Sequence, residues 1–221
     1  MSENQELLLG LLEAISQKLI ASEATLTELD SAIGDGDCGA TIKKGFESIL
    51  EKLPSLKEQP MGSILKQIGM TISSNVGGVS GAIYATGFMR AGKAIADKEH
   101  ISLSEVPEIL KAALEGVKER GEGTKVGDKT MVDALEPAIN AFGDAITEGS
   151  GVMVALEKTL DAAKKGSDST INLQAKKGRA SYLGERSIGH RDAGSLVICL
   201  MFEAAYDFFK KGEMKNEKDY Q

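Results

Sequence analysis

No stretch of this chain alternates apolar and polar residues as a half-buried strand would, and that absence limits the fold more than any other feature. Apolar residues recur instead at helical spacing. Leu8, Leu11, Leu12, Ile15 and Leu19 predict a helix of about residues 3–20, and a short one follows to Ile33. Ile42, Phe46, Ile49, Leu50 and Leu53 line a helix stopped by Pro54; Ile64, Leu65, Ile68 and Ile72 mark the next, of about 61–74. Residues 76–94 read as a Gly-rich core helix, and Ser102-x-x-Glu105 is a capping-box pattern opening a helix to Arg120. Helices of about 130–146, kinked or interrupted at Pro137, and of about 151–166 come next. An apolar helix from Leu196 to Phe209 closes the series, and Lys210 to Gln221 reads as a mobile polar tail. Eight long helices and one short one, with no low-complexity linker between them, predict one all-α domain over residues 1–210 and a tail over 211–221.

A net charge of −7 over 221 residues argues against a general nucleic-acid binder. There is no apolar run long enough to span a membrane, and the acidic start argues against a signal peptide. Two cysteines, Cys38 and Cys199, are too few for a disulfide framework or a zinc site. The expectation is a cytoplasmic protein.

The chemistry concentrates in Asp30-Ser-Ala-Ile-Gly-Asp35-Gly-Asp37-Cys38-Gly39. Carboxylates this close repel one another, and the segment holds no Arg or Lys before Lys43. A hard divalent cation such as Mg²⁺ resolves the conflict, because it takes carboxylate oxygens and bridges them to substrate phosphates. The glycines let backbone N–H groups approach an anion. The stretch therefore reads as a metal–phosphate site, with a solvated Asp/Gly turn as the plain alternative. Gly34-x-Gly36-x-x-Gly39 matches the dinucleotide fingerprint in letters, but no strand precedes it and its loop carries two carboxylates. A calcium loop begun at Asp35 would need Glu where Phe46 stands.

Three further stretches carry signals. Asn75-Val-Gly77-Gly78-Val79-Ser80-Gly81 suits a phosphate cradle or, equally, tight helix packing. Gly87 to Ala94 nearly spells a P-loop but lacks the Ser or Thr and sits within a helical stretch, so Lys93 reads as a surface charge. Lys176, Lys177, Arg179, Arg186, His190 and Arg191 form the one concentrated basic region, with Gly178, Gly184 and Gly189 among them. Such a loop can clamp phosphate oxygens; it can also be a solvated surface or dock an acidic partner.

Four pieces in order resemble one family: Leu29-Asp30-x-x-x-Gly34-Asp35-Gly36-Asp37-x-Gly39; Ser74-x-Val76-Gly77-Gly78-x-Ser80-Gly81; Gly127-Asp128-Lys129-Thr130-Met131; and Gln174-Ala-x-Lys177-Gly178-Arg179 through Ser187-Ile-Gly-His190. The chain is similar, over nearly its whole length, to the nucleotide-binding L subunits of dihydroxyacetone kinases. The resemblance implies a barrel of eight antiparallel amphipathic helices with the nucleotide in loops at one end. It implies two Mg²⁺ ions on Asp30, Asp35 and Asp37, and ADP or ATP contacts at Cys38, Gly39, Ala40, Thr41, Val79, Ser80, Gly121, Met131, Arg179, Asp192, Ala193 and Gly194. Arg179 would be the catalytic group, countering charge on the transferred phosphoryl.

In that family's three-component form the L subunit carries ADP as a cofactor. A phosphohistidine protein of the sugar phosphotransferase system rephosphorylates it, and dihydroxyacetone is held on a separate K subunit. The resemblance therefore implies a kinase subunit of glycerol metabolism that is inactive without its K subunit, with a homodimer as a further assembly to test. Cys38 stands where many bacterial members have His, and Ala193 where many have Pro. Two other readings stay open: a nucleotide-sensing binding module without turnover, and the L subunit of an ATP-dependent kinase for another small ketose.

Overall fold

The structure, a computed structural model, describes residues 2–96 and 98–218, with side chains described as far as residue 212. The described residues form nine α-helices and no strand: α1 (Glu3–Ala21), α2 (Glu23–Ile33), α3 (Cys38–Lys52), α4 (Met61–Asn75), α5 (Gly78–Ala94), α6 (Val106–Arg120), α7 (Val132–Thr147), α8 (Val152–Ser169) and α9 (Ala193–Lys218). The all-α expectation holds, with one short helix, α2, among eight longer ones.

Three boundaries differ from the sequence reading. The Ser102 capping box closes on a short 3₁₀ turn, Leu103–Glu105, from which α6 continues; the Ser102 N–H donates to Glu105 Oε2 at 2.8 Å. α9 runs on to Lys218, past Phe209, because the polar residues beyond it are still good helix formers. Residues 219–221 of the expected tail lie outside the described residues.

The third difference is Pro137, which interrupts nothing: α7 passes it unbroken. A proline lacks the N–H that would bond the carbonyl four residues earlier, here that of Asp133. α8 packs against that carbonyl at Gly166, where a Cβ would lie 2.1 Å from the Asp133 oxygen. The two helices approach at the place where the proline leaves the backbone unpaired.

Packing follows chain order and then closes. α1 lies against α3, α3 against α4, and so on through α8 and α9, and α9 returns to α1. α2 packs over α3 and α9. The core runs along the inside of this ring, where Leu19, Ile49, Ile64, Ile68, Ile72 and Val197 are fully buried. The ring has two distinct ends. At one, Asn4 of α1 donates to the Ile101 carbonyl at 3.3 Å and Gln5 to that of Gln59 at 2.9 Å, tying α1 to the α5–α6 and α3–α4 connections. The other end gathers the start of α3, α5, α7 and α9.

A methyl at Gly166 must displace backbone, whereas a methyl at Gly143 of α7 would meet only Pro107 Cβ at an ordinary 3.7 Å. Overpacking costs about 1–3 kcal/mol and Gly-to-Ala in an open helix position gains about 0.5–1. Denaturant titration should therefore show Gly166→Ala destabilised and Gly143→Ala stabilised. Equal effects would mean that the α7–α8 contact is looser than described.

Candidate functional site

α2 ends at Ile33, and the chain turns through Gly34 and Gly36 into α3. Gly36 has φ +77°, in the left-handed region that favours glycine. The turn carries carboxylate oxygens of Asp30, Asp35 and Asp37 to within 4.8 Å of one another. Asp30 is half-buried and accepts the Cys38 backbone N–H at 3.2 Å; Asp35 and Asp37 are exposed. The donor set is all hard oxygen, which fits Mg²⁺ or another hard divalent cation.

The sequence reading supplied no basic partner for these aspartates, and here the structure corrects it. Arg179, at the start of the 3₁₀ turns Arg179–Ser187, forms an ion pair with Asp35 across 144 residues of chain. The nearest cation in sequence, Lys43, is taken by Glu23 at 2.8 Å. An exposed pair contributes only about 0–1 kcal/mol, and one guanidinium against three carboxylates leaves two charges unbalanced.

Three cations of the basic loop are engaged by the protein itself. Lys176 donates to the Gly127 carbonyl at 2.8 Å and reaches Asp128 at 3.4 Å; Lys177 donates to the Glu122 carbonyl at 3.2 Å; Arg191 pairs with Asp168. These cations fasten the loop to the 121–128 segment and to α8, and Arg179 alone of them meets the aspartates. Gly178, Gly184 and Gly189 all have positive φ, so the loop's tight path depends on them.

The other expected contacts sit at helix starts on the same end. Cys38, Gly39, Ala40 and Thr41 form the first turn of α3, Val79 and Ser80 that of α5, and Ala193 and Gly194 that of α9. Helix starts present unpaired N–H groups and a favourable dipole to an anion. Gly39 lets α3 press against α2: a Cβ there would stand 2.2 Å from the Glu23 carbonyl oxygen. Gly77 faces the Thr41 methyl, bringing the α4–α5 turn beside α3. The Tyr84 hydroxyl donates to the Gly194 carbonyl at 3.3 Å, and Gly194 also lies beside Met131, which precedes α7. Gly121 caps α6 and rests on Thr124, whose hydroxyl meets that of Thr130 at 3.2 Å. The Gly87–Lys93 near-match lies within α5 with Lys93 exposed.

Burial sets the electrostatics here. It pushes the Cys38 thiol up to about 12, with Asp30, Asp192 and Asp37 adding to the shift, so this cysteine stays protonated. Tyr84 is raised well above its usual range, chiefly by burial. Burial also raises the Asp192 carboxyl to about 7, against the Ser195 N–H that it accepts at 2.6 Å as cap of α9.

Sequence reasoning missed Lys129, which is 2% exposed. Its amine donates to the carbonyls of Thr170 and His190. It missed Asp133 too, whose carboxylate accepts the Gly127 and Thr130 N–H groups at 2.6 and 2.7 Å. The sequence signal for both was Gly127-Asp-Lys-Thr-Met131, a charged turn running straight into apolar helix.

The unfolded Asp192 carboxyl titrates near 3.8 and the folded one near 7. Between these values the folded state holds the extra proton, so stability falls as pH rises through them and levels off above about 7. Asparagine caps a helix equally well and does not titrate. The melting-temperature difference between Asp192→Asn and the parent protein should therefore move in the variant's favour from pH 4 to pH 7, then stay constant. A difference that does not change with pH would place the ionised carboxylate in a solvated setting.

The comparisons with known proteins agree in kind with this geometry. The DAK2 domain model matches residues 32–207. The ADP-binding subunit DhaL of the PEP-dependent dihydroxyacetone kinase of Escherichia coli is 42% identical over 178 residues, covering 80% of this chain and 84% of that one. The corresponding subunit of kinase 1 of Listeria innocua is 36% identical over 204 residues, covering 92% and 96%. The PTS-dependent counterpart of Lactococcus lactis is 37% identical and covers 85% and 89%. The crystal structure of the dihydroxyacetone kinase of C. freundii superposes with a TM-score of 0.73 at 26% identity; it matches 91% of this chain, which spans 34% of that kinase's length. The same kinase in complex with AMP-PNP and Mg²⁺ gives 0.71. This chain belongs to the DAK2 domain family.

Proposed function

We propose that this chain is the nucleotide-binding subunit of a dihydroxyacetone kinase, passing a phosphoryl group from Mg²⁺-bound nucleotide to dihydroxyacetone on a separate K subunit. The observation that carries the reading is the meeting of Asp30, Asp35 and Asp37 with Arg179 at the end of the ring where the helix starts gather. The names of the relatives support ADP as the nucleotide and a phosphotransferase-system protein as the source of its phosphoryl group. An eight-helix antiparallel barrel is the proposed architecture, supported by the closed order of helix neighbours.

Asp30, Asp35 and Asp37 would hold Mg²⁺, two ions in this reading. When bound, the metal supplies charge neutralisation between carboxylates and phosphate oxygens. The chain's own part is positioning. The first turns of α3, α5 and α9 offer backbone N–H groups, Met131 and Gly121 would supply apolar and backbone contacts, and the protonated Cys38 thiol adds no charge. Phosphoryl transfer is mostly positioning and electrostatics, so no nucleophile is required of this chain. Arg179 is 62% exposed along its side chain and can move between Asp35 and a phosphoryl oxygen. Later in the same loop Tyr182 is 87% exposed and Ile188 is also open. Exposed apolar side chains of this kind suit contact with a protein that holds the acceptor.

Two experiments test this. With Mg²⁺ and ADP at about 100 times the dissociation constant, the native state should gain about 2.7 kcal/mol, visible as a higher melting temperature. Asp35→Asn or Asp37→Asn should remove most of that gain, and a full gain in both variants would exclude these residues as metal ligands.

In the reconstituted system, Arg179→Lys keeps the charge but loses the bidentate fork. Turnover should fall by about 10²–10³, while calorimetric ADP affinity stays within about tenfold. Equal losses in both would make Arg179 a nucleotide anchor. Tight ADP binding by the parent protein with no phosphorylated ketose from any donor would favour a sensing module.

A further inference from the structure

Lys129 is among the largest fully buried side chains of the protein, and its backbone adopts φ +61°, a conformation rarely held by residues other than glycine. Its amine donates to two main-chain carbonyls, those of Thr170 and His190. Each of these leads directly to the turn that opens α9. The Thr170 hydroxyl accepts the Asp192 N–H at 3.0 Å, and the Gly189 N–H donates to the Ile171 carbonyl at 2.7 Å. Asp192 caps α9, and the Gly194 carbonyl accepts from Tyr84. On its other side Lys129 is two residues from Met131, which lies against Gly194. One amine thus joins the start of α7, the end of α8 and the start of α9.

We infer that Lys129 is the positioning residue of the nucleotide pocket. Its ammonium sets the Asp192–Gly194 turn at a fixed distance from Met131, so that the two walls face one nucleotide. The inference rests on the nucleotide-binding reading above. The work belongs to the charge and its donors. The acceptors are the buried Thr170 carbonyl, which also takes the Leu173 N–H at 3.2 Å, and the part-buried His190 carbonyl, from which an alkyl chain of equal length would remove the amine donor; Asp133 and Asp192 both favour the charged form against the burial that opposes it. A lysine that only held the fold together would change stability and leave the affinity of the folded fraction alone. A positioning lysine changes the affinity of protein that remains folded.

The test is calorimetric ADP titration of the full chain with saturating Mg²⁺, at a temperature where circular dichroism shows each variant folded. Residues that orient direct ligands of a site typically cost about 10–100-fold when removed, and Lys129→Met should weaken ADP by at least about tenfold on that scale. Lys129→Ala should show a similar loss, restored by propylammonium and not by 1-propanol, which fills the space without the charge. Affinity within about twofold of the parent in folded Lys129→Met, or equal restoration by both additives, would overturn the inference. If neither variant folds, Thr170→Val decides, since it cuts the link to Asp192 and leaves the Lys129 acceptors in place. A loss of about fivefold or more supports the positioning role, and unchanged affinity overturns it. Should the parent protein bind no ADP, the nucleotide reading itself fails; binding by the parent with unaffected variants sinks only the role given to Lys129.

Discussion

Mutual repulsion among Asp30, Asp35 and Asp37 is the constraint on which the working end of this protein turns. Three carboxylates within 4.8 Å are a standing cost in the chain itself. Everything nearby reduces that cost without removing it. One Asp30 oxygen takes a backbone N–H, Arg179 reaches across from a distant loop to Asp35, and the start of α3 directs its dipole at the cluster. The remaining imbalance is what a hard cation would relieve under the proposed function.

The surrounding charge is arranged so that this imbalance persists. Lys43, Lys176, Lys177 and Arg191 lie close in sequence to the site, yet each is bound to a carboxylate or carbonyl elsewhere. A basic loop that looks like a counter-charge in sequence is spent on fastening itself. Among the described residues, the cation that meets the aspartates is Arg179, on a long and largely exposed side chain.

How much of this the sequence showed depended on the range of each interaction. The helices were legible because Leu12, Leu19, Ile42, Phe46, Ile64 and Ile68 repeat at a local period that burial rewards directly. The aspartates were legible because they are clustered in the chain. Pairings between remote segments were not. Nothing near Arg179 announces Asp35, and nothing near Lys129 announces the Thr170 and His190 carbonyls, so one looked like part of a general clamp and the other was passed over. Pro137 misled for the opposite reason. The expected interruption does not occur: α7 continues through the proline, and α8 lies close to the Asp133 carbonyl at Gly166.

The return of α9 to α1 has a consequence for how the protein comes to exist. As the chain leaves the ribosome, α1 can rest on α3 early, but the seam beside it stays open until α9 is made. The same helix and its cap bring Asp192, Ala193 and Gly194, so the aspartate cluster is synthesised long before this turn. A nascent chain therefore exposes the inside of an unclosed ring for most of its synthesis. Its contacts of greatest sequence separation, those of α9 with α1, become available only when the last helix is made, whereas the packing between successive helices can form before it.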